Sequence, residues 1–441
     1  MKHTSSLFQN VYCTNESCPH NGEPFALLTH QRCPKCNEPA QLPTDYTPTI
    51  QSQYEGLDRY FKPSLYTHTR NYTAALRAFE TYLGTSQLYQ NDEISRWTQS
   101  PNLYLKYETM LPTGSFKERG SLTAVLFHMA SLAHKEKNLT LGTVSTGNMA
   151  ISTVWTVQKI QDLLGGAFHL NSFVVVSDSI TDKKLQLIQK AAGTKGTTIF
   201  KVKGNYAHIH DIVYAACRQF RQKNKYVFAE LTDDIFRIIG YATIFTEIVD
   251  QLLKLHTQPD VIVVPVASGG LFRVAVWTVE ALYKQKLITR IPKIVLVQEK
   301  GADPIVQAYS DGKKSSAHIS LASNLVAQAI DVSNSRSGTA SLATLYKGHH
   351  ICISVNSTDI RAAQKILVSC DIFVEEAGAV SVAAVRTLMK KRILSKSAVV
   401  VALLSGKLPI KRDLFQIPLR NTSTIVSCST KTLEKALLQT L

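Results

Sequence analysis

The feature that most constrains the fold is an alternation of short apolar runs with amphipathic helical segments, which begins near Leu103. The apolar runs are rich in valine and isoleucine and nearly continuous, as expected of strands buried on both faces of a parallel sheet. Five of them stand out: residues 172–176, 197–202, 261–266, 293–298 and 398–404. Helical periodicity follows in residues 181–192, 235–256, 271–283 and 357–370. We therefore predict an α/β fold with mainly parallel sheets.

The length of 441 residues is too great for one ordinary core. We predict two doubly wound α/β domains and a small N-terminal element. The expected boundaries are residues 1–42 for that element and 43–115 for an arm leading into a large domain. Residues 116–230 are expected to form a small domain, and residues 231–441 the rest of the large one.

The composition is that of a globular enzyme, with 44% hydrophobic and 19% charged residues. No run of 18 uncharged apolar residues occurs, so we expect no membrane partner. The first dozen residues lack the apolar core of a secretory signal, which favours the cytoplasm. The net charge of +16 is spread along the chain without a basic cluster, which favours small anionic substrates over nucleic acid.

Four of the eight cysteines lie near the N-terminus, in the pairs Cys13-x4-Cys18 and Cys33-x2-Cys36. Each pair can place two thiolates on one ion, and the spacing between the pairs is typical of a ribbon. His20 and His30 lie between them and could replace one cysteine. Without a secretory signal, disulfides are the poorer explanation. We predict a structural zinc ion bound by the four cysteines.

The candidate catalytic residue is Lys117, in the segment 111–120 (LPTGSFKERG). A turn built on proline and glycine places this amine at the start of a helix, beside Ser115 and Phe116. The positive end of the helix and partial burial both oppose protonation of the amine. A lysine with a lowered pKa can form an imine with an aldehyde cofactor.

Three later segments supply complementary groups. Residues 144–150 (VSTGNMA) lead into a helix and carry hydroxyls, exposed N–H groups and the Asn148 amide. The hydroxyls and N–H groups can bind a carboxylate, and the amide can donate to a phenolate oxygen. Residues 263–271 (VVPVASGGL) run from a strand through a Ser-Gly-Gly turn into a helix, a seat for a phosphate. This turn lacks the patterns of Walker and dinucleotide-binding loops. Residues 399–406 form a strand that ends in Ser405.

Together these segments resemble the fold-type II pyridoxal-phosphate enzymes, and within them most closely the threonine synthases. The resemblance covers roughly residues 103–405 and rests on PTGSFKERG (112–120), STGN (145–148), FRIIG (236–240) and VEEAGA (374–379). Threonine synthases also often carry a cysteine-rich N-terminal element.

The resemblance implies the following roles. Lys117 would hold the cofactor, Phe116 would pack near its ring, Asn148 would bind its 3′-oxygen, and Ser405 would face its pyridine nitrogen. Its phosphate would bind Ala267, Ser268, Gly269, Gly270 and Leu271. The substrate would contact Ser145, Thr146, Gly147, Met149 and Arg237. We expect a homodimer that converts O-phosphohomoserine and water to threonine and phosphate.

Two alternatives remain open at this stage. Ser405-Gly406 and the turn at 265–271 look more like serine/threonine dehydratases of the same fold, and Asp233 and Asp234 would repel a substrate phosphate if they face it. The second alternative is a non-catalytic zinc-ribbon binding protein with a vestigial enzyme domain. The presence of both Lys117 and Asn148 is evidence against it.

Overall fold

The computed structural model describes residues 10–13, 18, 24–26, 35, 40–41, 48–50, 85–132, 138–164, 169–193, 196–204, 206–222, 227–229, 234–408 and 424–441. These residues fall into two compact units. The first unit contains residues 85–116 and 241–408 together with the described residues before 65. The second contains residues 117–240 and the described residues after 423.

The described strands are, in chain order, β1 (Asn10–Cys13), β2 (Pro24–Ala26), β3 (Ala40–Gln41), β4 (Leu88–Tyr89), β5 (Leu103–Tyr107), β6 (Asn138–Val144), β7 (His169–Ser177), β8 (Thr197–Lys203), β9 (Val227–Ala229), β10 (Val261–Pro265), β11 (Lys293–Glu299), β12 (Ile351–Val355), β13 (Val400–Leu404) and β14 (Thr424–Ser429). The described α-helices are α1 (Asp92–Thr98), α2 (Lys117–Leu132), α3 (Asn148–Leu164), α4 (Asp182–Ala192), α5 (Tyr206–Gln222), α6 (Ile235–Lys254), α7 (Gly270–Lys284), α8 (Pro304–Ser310), α9 (Gly338–Lys347), α10 (Ser357–Ser369), α11 (Glu376–Lys390) and α12 (Thr430–Thr440).

The first unit is built on a six-stranded sheet with the order β12-β11-β10-β13-β5-β4. All neighbouring strands in it are parallel except the pair β4 and β5. Every residue of β10 and β13 is buried, as expected of central strands covered by helices on both faces. The N-terminal strands of this unit form a separate antiparallel sheet with the order β2-β1-β3.

The second unit is built on a five-stranded, fully parallel sheet with the order β14-β8-β7-β6-β9. Its edge strand β14 comes from the far C-terminal segment and pairs with β8. Helix α12 follows that strand and contributes Leu433 and Leu437 to the core that contains Phe173 and Phe200.

The predicted α/β fold with mainly parallel sheets is confirmed, and the observed strands match the five predicted runs to within two or three residues at each end. The compact units divide the chain differently from the expected boundaries: the second unit extends to Gly240 instead of residue 230, and residues 424–441 belong to it. Among the described residues, no helix has both the length and the apolarity needed to cross a bilayer.

Candidate functional site

The turn before Lys117 is fixed to the end of β13. Gly114 has a φ of +79°, and its carbonyl oxygen accepts a hydrogen bond of 2.7 Å from the Lys407 amide. Ser115 forms an antiparallel bridge with Gly406, and the Phe116 amide donates to the Ser405 carbonyl oxygen at 3.2 Å. The residue directly before Lys117 is therefore held against the strand end that carries Ser405.

The Phe116 side chain is 7% exposed and packs against Tyr241, with the ring centroids 4.9 Å apart. Tyr241 was not singled out from the sequence, because one aromatic residue inside a long amphipathic helix gives no signal. The role of Phe116 beside a cofactor ring stays a prediction.

Lys117 is the first residue of α2 and is partly buried. One turn further on, the Ser121 hydroxyl accepts a hydrogen bond of 2.7 Å from the Ser152 hydroxyl, which lies one turn into α3. Because a helical turn rises only about 5.4 Å, this contact brings the first turns of α2 and α3 side by side. The second unit therefore places Lys117 and Asn148 at neighbouring helix starts.

The segment between β6 and α3 forms a polar turn. The Ser145 amide donates to the Val175 carbonyl oxygen at 3.1 Å, and the Ser145 hydroxyl accepts from the Gly147 amide at 3.2 Å. Ser145 and Thr146 line a cavity of about 70 Å³ at the carboxyl ends of β6 and β7. Thr146, Gly147 and Met149 are partly buried, which leaves this turn open to a small ligand.

The turn between β10 and α7, residues 267–271, forms a cradle of donors. Within the described part of the chain, no backbone N–H group from residue 267 to residue 272 donates a hydrogen bond to a protein acceptor. Gly269 has a φ of +101°, and a Cβ atom there would lie 2.4 Å from the Ser341 hydroxyl oxygen. Consecutive unpaired N–H groups at the start of a 15-residue helix suit an anion. We call residues 267–271 the anion cradle.

Ser405 lies at the same edge of the sheet as the anion cradle. Strands β10 and β13 are parallel neighbours with Val263 opposite Ala402, so continuing the register places Ser405 beside Val266. Ser405 is 5% exposed, and its hydroxyl makes no hydrogen bond to any described residue. The first unit thus brings the cradle, Ser405 and Phe116 together.

Arg237 lies in the first turn of α6 and is fully buried. Asp234 caps the same turn, because one of its carboxylate oxygens accepts from the Phe236 and Arg237 amides at 2.9 and 3.2 Å. Its other oxygen lies 3.1 Å from His128 Nε2. Burial raises the pKa of the Asp234 carboxyl, but the hydrogen bond and charge of His128, together with Arg237, outweigh it and hold that pKa below its usual range.

The Asp234 carboxylate is fully buried, and one of its oxygens is used as a cap by its own helix. Asp233 lies outside the described residues. His128 was missed from the sequence, since a single histidine on an apolar helix gives no signal of its partner.

The four predicted zinc ligands are only partly described. Cys13 ends β1, and Cys18 is 6% exposed. Cys33 and Cys36 lie outside the described residues. Among the residues the structure does describe, no three histidine, cysteine or acidic side chains are grouped as metal ligands.

Comparison with known proteins gives one family and several relatives. The family model described as "Pyridoxal-phosphate dependent enzyme" matches residues 80–406. A threonine synthase from Methanosarcina acetivorans is 27% identical over 420 residues, covering 92% of this chain and 94% of that protein. A threonine synthase from Methanocaldococcus jannaschii is 28% identical over 328 residues, covering 73% of this chain and 74% of that protein.

Among solved structures, the processed form of threonine deaminase isoform 2 from Solanum lycopersicum is similar, with a TM-score of 0.58 and 18% identity. The match covers 86% of this chain and 100% of that one. At this identity the likeness demonstrates a shared fold and nothing more.

Proposed function

Because the chain belongs to the family of pyridoxal-phosphate-dependent enzymes, we propose that it is a lyase that converts O-phosphohomoserine and water to threonine and phosphate. The pairing of the anion cradle with the Ser405 hydroxyl at one sheet edge supports binding of the cofactor and suits the synthase and the dehydratase alike. The two threonine synthases extend the likeness over most of the chain and supply the substrate.

The residues present suit the cofactor. The unpaired N–H groups of the anion cradle would bind its phosphate, and the Ser405 hydroxyl would meet its pyridine nitrogen. Lys117 would hold its aldehyde carbon, and the Asn148 amide would donate to its 3′-oxygen. When bound, pyridoxal phosphate supplies an electron sink that stabilises carbanions next to the substrate amino group.

The protein's own groups then orient the substrate and move protons. Residues 145–149 would receive the substrate carboxylate through the Ser145 and Thr146 hydroxyls and the N–H groups that the turn does not itself use. The Lys117 amine would carry protons at Cα and Cβ. A hydroxyl at Ser405, in place of a carboxylate, does not stabilise a protonated ring nitrogen, and this favours elimination and replacement over transamination.

The Lys117 assignment is tested by borohydride reduction of the purified protein, followed by peptide mass mapping. We expect a yellow protein whose cofactor becomes covalently attached to Lys117. Lys117→Ala should lose both the colour and turnover while its circular dichroism stays unchanged. A label on another lysine would contradict the assignment.

A dehydratase acting on serine or threonine is the second candidate, favoured by the Ser405-Gly406 strand end. The deciding assay offers O-phosphohomoserine, serine and threonine side by side and measures phosphate, threonine and 2-oxo acid. Threonine with phosphate supports the synthase. A 2-oxo acid without phosphate release supports the dehydratase.

Arg237 is proposed as the contact for the substrate phosphate; it is fully buried, and its amide donates to the Asp234 carboxylate. Loss of a charged hydrogen bond costs about 1.5–3 kcal/mol. Arg237→Ala should therefore lower kcat/KM for O-phosphohomoserine while sparing elimination from serine. Equal loss for both substrates, with a lowered melting temperature, would assign Arg237 a structural role only.

We also propose a structural zinc ion bound by Cys13, Cys18, Cys33 and Cys36. Strand β1 is antiparallel to β3, with Cys13 opposite Ala40, so the chain that follows Cys36 enters the sheet at the end where Cys13 lies. Tetrahedral thiolate sites of this kind hold zinc at about 2.3 Å. Elemental analysis should find one zinc per chain, lost in Cys33→Ser without loss of cofactor colour. We propose further that the protein is a homodimer and that it lies in the cytoplasm.

A further inference from the structure

One polar segment, residues 335–341, lies behind the anion cradle and holds its carbonyl groups. The Ser335 hydroxyl donates to the Ala267 carbonyl oxygen at 2.6 Å. The Ser337 amide donates to the Ser268 carbonyl oxygen at 2.8 Å. The Ser341 hydroxyl lies 3.4 Å from the Gly269 carbonyl oxygen and donates more closely, at 2.8 Å, to the Ser337 carbonyl oxygen. Three consecutive carbonyl groups of the cradle are therefore contacted by one segment.

The three serines of this segment are buried, and the segment packs closely against the cradle. Ser335 is 4% exposed, and Ser337 and Ser341 are fully buried. A Cβ atom at Gly269 would lie 2.9 Å from the Ser337 carbonyl oxygen as well as 2.4 Å from the Ser341 hydroxyl. Only a glycine therefore permits so close an approach, and the two backbones cannot shift independently.

Gln298 fixes Ser335 in turn. Its amide nitrogen lies 3.4 Å from both the Ser335 hydroxyl and the Ala267 carbonyl oxygen. Its amide oxygen accepts from the Ile305 and Val306 amides at 3.0 and 3.2 Å. These two bonds distinguish the oxygen from the nitrogen of the side-chain amide. Gln298 is fully buried at the end of β11, so this network links the cradle to the rigid sheet.

A peptide unit has its carbonyl and the following N–H on opposite sides. Holding the carbonyl groups of residues 267 and 268 toward the segment 335–341 therefore turns the N–H groups of Ser268 and Gly269 the other way. Preorganised donors bind an anion more tightly than donors that must first reorient.

We infer that Ser335 is a positioning residue for the anion cradle, acting through the Ala267 carbonyl group to set its affinity for a phosphate. The inference rests on the proposed function, since that phosphate is the one on pyridoxal phosphate. Ser335 itself needs no contact with the cofactor.

The test compares two ligands that differ only in the phosphate. Apoprotein is titrated with pyridoxal phosphate and with pyridoxal, and binding is followed by absorbance. Loss of one hydrogen bond predicts that Ser335→Ala binds pyridoxal phosphate about fivefold to tenfold more weakly, with pyridoxal affinity unchanged. Ser335→Cys, which keeps a weak donor of similar size, should lie between the two.

Thr98→Val is the matched control. It removes another buried hydroxyl that donates to a carbonyl oxygen in the same unit, at 2.8 Å, but away from the cradle. It should leave both affinities unchanged. The phosphorus NMR shift of bound pyridoxal phosphate gives a second measurement, expected to change in Ser335→Ala and not in Thr98→Val.

The possible outcomes distinguish a failure of the role of Ser335 from a failure of the proposed function. Equal weakening of both ligands in Ser335→Ala, or unchanged binding of pyridoxal phosphate, would overturn the inference while leaving the proposed function intact. A wild-type protein that binds no pyridoxal phosphate would overturn the proposed function itself.

Discussion

Substitution of Gly240 by alanine should displace the helix that begins with Lys117. Gly240 lies in α6 where that helix passes over the first turn of α2. A Cβ atom at this position would lie 2.2 Å from the Arg119 carbonyl oxygen and 2.6 Å from Thr123 Oγ1. The Arg119 oxygen belongs to the main chain and cannot rotate away, so the two helices must separate by about 1 Å to reach ordinary contact.

Two opposing effects set the size of the change. Overpacking of a well-packed contact costs about 1–3 kcal/mol, whereas alanine in place of glycine inside a helix stabilises by about 1 kcal/mol. Because the clash is with main-chain atoms, the cost should lie in the upper part of its range. We therefore expect a net destabilisation of about 1–2 kcal/mol. Arg119 is two residues from Lys117, and a shift of about 1 Å at a reacting group can lower the rate about 100-fold.

Urea denaturation measures the expected loss of stability, and kcat/KM for O-phosphohomoserine measures the expected effect on Lys117. Gly147→Ala is the stability control, because a Cβ atom there meets nothing within 4 Å. Combining Gly240→Ala with Thr123→Ala should not restore stability, since the clash with the Arg119 oxygen remains. A Gly240→Ala protein as stable as the wild type would refute the argument.

Two further predictions concern buried charge. Lys106 donates at 2.7 Å to Glu247, and both side chains are buried. Lys106→Met should therefore lower the free energy of unfolding by about 3–5 kcal/mol, because it leaves a carboxylate without its cation. The double variant Lys106→Met with Glu247→Leu should lose far less, and equal losses on urea denaturation would contradict this. Burial and, to a smaller extent, the charge of His349 lower the pKa of His350 to about 4. As the pH drops from about 6.5 to 4, this histidine is protonated in the unfolded chain before it is protonated in the folded one, so the stability of the fold falls. Allowing for partial exposure, the loss is about 1–2 kcal/mol. His350→Gln, whose side-chain oxygen can still accept from the Ile294 amide, should show a flatter pH profile over that window, and an equal slope would count against the assignment.

The layout of the first unit was accessible from the sequence because its strands are nearly continuous runs of valine and isoleucine. Residues 261–266 and 398–404 could be assigned to strands of a parallel sheet, and each run leads into residues predicted to bind the cofactor. The structure brings them together as neighbours. Near-continuous apolar runs followed by turn residues thus carried most of the information about this half of the site.

The features that were missed depend on contacts between distant, weakly patterned segments. Ser335 lies 68 residues from Ala267, in a polar stretch without periodicity, so no local signal predicts its hydrogen bond. Asp234 was considered only for its charge, but the helix start beside it uses that carboxylate as a cap. Strand β14 was not predicted, because an edge strand with mostly exposed side chains carries little apolar signal.

The pairing of β14 with β8 also sets the order in which this protein can fold during synthesis. About 220 residues separate Lys203 from Thr424, and a ribosome adding about 5–20 residues per second needs roughly 10–45 s to make them. Throughout that interval the edge of β8 and the core around Phe200 remain uncovered, because Leu433 and Leu437 have not yet been made. A nascent chain of this protein therefore needs protection from aggregation until its C-terminal segment has been made, long after synthesis has passed Lys117.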